Sequence, residues 1–177
     1  MRSFNGRYSA AIDGAFVVFL IGMRVNRIWK IHRWLPVAMA MGPMLQELMR
    51  NPSRGLLGFR VLPGLRSITL IQYWRSFEQL ERFARDRGSA HLPAWARFNR
   101  AVGTGGDVGI WHETYLVPAG AYEAIYSNMP RIGLAAAADH VPVWRRGQSA
   151  AYRIGRAVQD EPGEPVPPEP AGRGQES

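Results

Sequence analysis

Four histidines, six tryptophans and six tyrosines, with no cysteine at all, set the chemistry open to this chain. His91 stands just after a Gly88-Ser89 break, where an imidazole can take a proton from an ionisable substrate near neutral pH. Its plainer reading is a histidine that caps a chain end or bonds a carbonyl. His112 falls on the mostly apolar side of VGIWHETYLV; a satisfied core histidine is the plain reading there and substrate binding the sharper one. Trp74, Trp95 and Trp111 carry indole N–H groups that could orient an aromatic substrate, although core and interface roles come first for such side chains. Tyr73 and Tyr115 can donate to a substrate oxygen. Arg24 and Arg27 flank Asn26 and could meet an anionic ligand or form a solvated charge cluster. Glu113 reads as a rim or dimer-interface carboxylate.

Other chemistries are excluded by residue type and spacing. Without cysteine there is neither a disulfide framework nor a thiolate metal site, and the four histidines are far apart with no helical i,i+4 pair, so no metal is expected. The glycines at 103, 105 and 106 precede a strand pattern instead of a helix, which excludes a phosphate loop. The net charge is +8, yet Lys30 is the only lysine among 22 basic residues. These residues are scattered among acids instead of forming a stripe, so no nucleic-acid partner is expected.

These residues need a scaffold, and a 177-residue chain that is 46% hydrophobic and 11% aromatic can bury a sizeable core. The stretch from Ser67 to His91 changes period halfway. Ile68, Leu70, Gln72 and Trp74 alternate with Thr69, Ile71 and Tyr73 as in a strand apolar on both faces. From Ser76, Phe77, Leu80, Phe83 and Ala84 take helical spacing, and Ser76 with Gln79 forms a capping-box pattern.

Before this stretch, a strand is expected over residues 15–25. Its apolar run is too short for a membrane span of about 20 residues and is followed by Arg24, Arg27 and Lys30, where a signal peptide would be cleaved. No membrane partner is therefore expected, and a cytoplasmic location fits. A helix should start at Pro36 and run towards Asn51-Pro52, then a strand over 55–62 should pair through the Pro63-Gly64 turn with the strand from Ser67.

Downstream, Pro93, Trp95, Phe98 and Val102 begin a further helical segment, and Val108 to Val117 is the last strand. There Val108, Ile110, His112, Thr114 and Leu116 face one way and Trp111, Glu113, Tyr115 and Val117 the other. Four domain-level pieces are expected: a poorly ordered lead-in over 1–13, a domain over 14–133, a C-terminal extension over 134–154, and a disordered Pro/Glu-rich tail over 155–177.

The order strand, helix, strand, strand, helix, strand is the split βαβ, ferredoxin-like topology, an α+β fold with a four-stranded antiparallel sheet. Both helices cover one face while the strands are apolar on both, so the other face should meet a second copy in a homodimer, the two sheets curling into one barrel.

The segments YWRSFEQLERFARD, HLPAWARFN and VGIWHETYLVPAGAYEAIYSNMP resemble a family of bacterial and fungal domains labelled monooxygenase-like or phenylacetaldoxime-dehydratase-like. That family lies within the dimeric α+β barrel superfamily. The resemblance covers roughly residues 24–133. It implies a pocket between the sheet and its own helices, and chemistry drawn from cofactor-independent monooxygenases, haem-degrading enzymes, haem aldoxime dehydratases and proteins without known activity. His91 matches the position of the proximal haem ligand in the haem-degrading members, and Asn26 matches their haem-side asparagine. Glu81 stands where they carry a tryptophan.

The leading expectation is therefore a small oxidoreductase that needs no cofactor, acting on an aromatic or other hydrophobic molecule. His91, Asn26 and Tyr73 are its catalytic candidates, and Trp74, Trp95, Trp111, His112 and Arg24 its substrate-binding ones. The alternatives are a haem protein with His91 as axial ligand and a non-catalytic carrier of a hydrophobic ligand.

Overall fold

A computed structural model of the chain describes residues 2–86 and 105–159. Within these, β1 (Arg7–Ala11), β2 (Phe16–Val25), α1 (Ile31–Arg50), β3 (Leu56–Pro63), β4 (Ser67–Trp74), α2 (Phe77–Arg85) and β5 (Val108–Val117) follow in order. The chain continues as β6 (Tyr126–Ser127), α3 (Leu134–Ala137), β7 (Asp139–Pro142) and α4 (Ala150–Arg153).

Four strands form an antiparallel sheet in the order β3-β4-β2-β5, the ferredoxin-like arrangement in which the first strand of each split unit pairs centrally. The β3-β4 hairpin closes through Gly64, whose N–H donates to the Ser67 carbonyl. Strand β2 sits in the middle because its apolar side chains can be buried on both faces.

Two small clusters cement the helical face. Val17, Leu48, Trp74, Leu80 and Phe83 gather α1 and α2 over one end of the sheet. Met23, Val25, Val37 and Val108 seal the other end under the start of α1. Ser76 caps α2, its Oγ accepting from the Gln79 N–H at 3.3 Å. Helix α1 starts at Ile31, five residues ahead of the Pro36 start expected from sequence. The extra turn is anchored by Trp34, which packs into the second cluster and donates its Nε1 to the Ile28 carbonyl at 3.0 Å.

The opposite face corrects an expectation. Residues 7–11 are not a poorly ordered lead-in: β1 pairs with β6 on one side and β7 on the other, and Ser9 and Ala10 are fully buried. This small sheet, with α3, lies over one end of the main sheet. Ala10, Ile12, Phe16, Tyr122, Leu134 and Ala135 form its core, with Val18, Leu57, Tyr73 and Val117 of the main sheet packed against them. The face left bare by the helices is therefore partly covered by the chain itself. The remainder carries half-buried Leu20 and Ile71 and exposed Trp111 and Tyr115. Gly22 lies under the Trp111 ring, where an added Cβ would come within 2.4 Å of the indole nitrogen.

Candidate functional site

Strand alternation divides the sequence candidates between two faces. Odd-numbered β2 residues Phe19 and Ile21 and even-numbered β4 and β5 residues Gln72, Trp74, His112 and Thr114 line a cavity of about 400 Å³ under α1 and α2. The helices contribute Met41, Met44, Leu45 and Leu48 from α1 and Phe77, Leu80, Glu81 and Phe83 from α2. A cavity of this size, apolar with few polar groups, has the ordinary character of a small-molecule site.

Its polar groups are arranged by neighbouring side chains. Trp74 is fully buried, and its Nε1 donates to Gln72 Oε1 at 2.8 Å. That bond fixes which way the Gln72 amide points. Its oxygen is taken, and its Nε2 donor, with no acceptor among the described residues, is left for the cavity. His112 sits on the exposed edge strand β5, its ring 5.9 Å from that of Phe19. Glu81 is held by Arg85 one turn on, at 2.8 Å.

Of the residues singled out in the sequence, Trp74 and His112 are brought together here. Tyr73 is not: it faces the small sheet, packed in the core around Ala10 and Phe16. Burial, then the neighbouring Tyr126, push its phenol pKa up, so at neutral pH it stays protonated. Trp111 and Arg24 also lie on the face away from the cavity, Trp111 across Gly22. Tyr115 shares that face and donates to Glu113 at 2.7 Å, a bond that raises its pKa.

Asn26 ties down a strand end instead of lining the cavity. Its Nδ2 donates to the Gly106 carbonyl at 3.0 Å. Beside it Arg27 and Lys30 clamp Asp107 at 2.8 and 3.0 Å. These bonds, Lys30's first, lower the Asp107 pKa and join the end of β2 to the start of β5. His91 and Trp95 lie outside the described residues.

Gln72 and Thr114 were missed as site residues. The signal for Gln72 was an amide set between Leu70 and Trp74 on an apolar strand face. Among the described residues no three histidine, aspartate or glutamate side chains cluster to hold a metal ion. No described helix is long and apolar enough to cross a membrane.

A ferredoxin-like α+β fold with an apolar chamber between sheet and helices defines the class of this protein. Its family follows from the sequence match: residues 16–134 fit the model of the monooxygenase af470-like family, to which the chain belongs. Monooxygenase af470 of Aspergillus fumigatus is 29% identical over 124 residues, 65% of this chain and 43% of that protein. The chain thus spans less than half the length of this relative. Among solved structures, an aldoxime dehydratase in complex with butyraldoxime superposes with a TM-score of 0.56 at 22% identity, over 76% of this chain and 42% of the other. A second aldoxime dehydratase gives 0.52 at 22% identity, over 76% and 45%. These two likenesses show the fold.

Proposed function

We propose that this protein is a small oxidoreductase of the cofactor-independent monooxygenase type, acting on an aromatic or other hydrophobic molecule in the chamber between sheet and helices. The observation that carries this reading is the joint presence, on one apolar cavity wall, of an imidazole and an amide donor held in place by Trp74. His112 is the base, in place of His91, which the sequence favoured and which lies outside the described residues. It removes a proton from an acidic C–H or O–H of the substrate, and the Gln72 N–H stabilises the oxyanion that forms. The electron-rich anion then reduces dioxygen. For a CH₂ flanked by electron-withdrawing groups, conversion to C=O takes one oxygen atom into the product and releases the other as water. The substrate supplies all four electrons, so no external reductant is needed.

The described lining offers one imidazole, and its only charged side chain is the anionic Glu81; His91, the axial candidate of the haem reading, lies outside the described residues. The likeness to aldoxime dehydratases favours a second reading, in which the chamber takes an aldoxime, whose oxygen-bearing head and apolar tail suit the same wall. A homodimer is part of the proposal: on the uncovered part of the sheet Leu20, Ile71, Trp111 and Tyr115 make an apolar patch beside Glu113, fit for a second copy.

The test is oxygen uptake by metal-free protein on a panel of quinols and polyketide-like phenols, with ¹⁸O₂ to follow the atoms. The reading predicts one labelled oxygen per product on at least one member. No uptake above background on any member counts against it, and aldoxime consumption in its place favours the second reading.

A further inference from the structure

We infer that this cavity is the head chamber of a two-chamber site whose ligand is a slender apolar molecule with a single hydrogen-bonding head. The inference rests on the proposed reading of the first cavity as a ligand site. A second cavity of about 210 Å³ lies further along the same face of the sheet, and Ile21, Met41 and Leu45 line both. These three side chains are the partition between them.

The chemistry of the walls changes across it. On the near side stand Gln72, His112 and Thr114. On the far side every described lining residue is apolar, with Val37 and Ala38 from α1 facing Met23, Leu70 and Ile110 from the sheet. One end can therefore recognise a hydroxyl, carbonyl or phenolate, and the other only hydrocarbon. A compact aromatic would leave the far chamber unfilled and its walls without contact partners. A ligand with an unbranched tail would occupy both.

The partition can yield. Met41 is unbranched and flexible, and it is followed by Gly42 and Pro43. Proline has no N–H to return to the Met39 carbonyl, and a Cβ at Gly42 would meet nothing within 4 Å. Helix α1 therefore lacks one of its backbone hydrogen bonds where the two chambers join.

The test titrates the full-length protein with 4-n-alkylphenols from ethyl to decyl by calorimetry. Affinity should climb with tail length once the first chamber is filled, by up to about fourfold per methylene. Ala38→Phe, which plugs only the far chamber, should collapse the ratio of decyl to ethyl affinity by at least tenfold. Ile68→Trp closes the same chamber from the sheet and serves if the first variant does not fold. An affinity independent of tail length, or a ratio that survives both plugs, overturns the two-chamber site while ethylphenol binding still marks the first cavity as a site. Absence of binding by every member overturns both readings.

Discussion

Gln72 and Trp74 act as a pair, and replacing the amide in two ways separates its two jobs. Gln72→Leu leaves the Trp74 N–H buried without an acceptor and should cost about 1 to 3 kcal/mol of stability, read by urea denaturation. Gln72→Glu keeps an acceptor for Trp74 but turns the donor facing the cavity into an acceptor. Its unpaired carboxylate, buried at this position, should cost stability too, and the variant should lose at least tenfold in affinity for a phenolate, read by titration at a pH where the phenol is ionised. Equal phenolate affinity in wild type and Gln72→Glu would remove the amide from the site. The alternation that places Gln72 was legible in the sequence, and so was its corollary. Neighbours in a strand point to opposite faces, so Tyr73 could not share a wall with Trp74, nor Trp111 with His112. What the sequence could not show was which face held the chamber and that Trp74 would lock the amide.

Whole elements were legible where hydrophobic period and caps agreed. Strand β4, the Ser76 cap, α2 and β5 all fall where the pattern puts them. Strand β1 was not legible, because RYSAA is short and Tyr8 is its single large hydrophobic side chain; its burial comes from the partners β6 and β7, more than a hundred residues away. That small sheet carries a pH-sensitive feature. His140 of β7 stacks on Tyr8 with centroids 4.4 Å apart and lies edge-on to Phe4 at 4.9 Å, and its Nε2 is buried without a partner. Burial first, then Arg131, lower its pKa below the usual 6.5. The unfolded chain therefore binds the proton more readily, and stability should fall as pH drops below about 6.5, flattening once the folded form is protonated too. Comparing urea midpoints at pH 7.5 and 5.5, the fall should be smaller in His140→Phe; an identical fall would assign it elsewhere. Within the main sheet, Gly22→Ala should cost about 1 to 3 kcal/mol through the clash with Trp111, and Trp111→Ala should relieve most of that cost in a double-mutant cycle.

At the scale of the whole molecule, topology was the most legible feature, because six elements in the order βαββαβ admit few arrangements. The covering of the far face was not, since it depends on the segments flanking those six elements. The proposed dimer uses what remains uncovered. A native mass about twice the 19.8 kDa chain is expected, shifting to a monomer in Trp111→Glu/Tyr115→Glu, and a wild-type monomer would remove the dimer. The central claim, that chemistry takes place on the cavity wall holding His112, is tested most directly by oxygen uptake on the best substrate of the phenol panel. Metal-free wild type, His112→Phe and His91→Phe are to be compared. Loss of a general base should slow the first variant about a hundredfold or more, with His91→Phe keeping most of the rate. Uptake undiminished in His112→Phe would contradict the account.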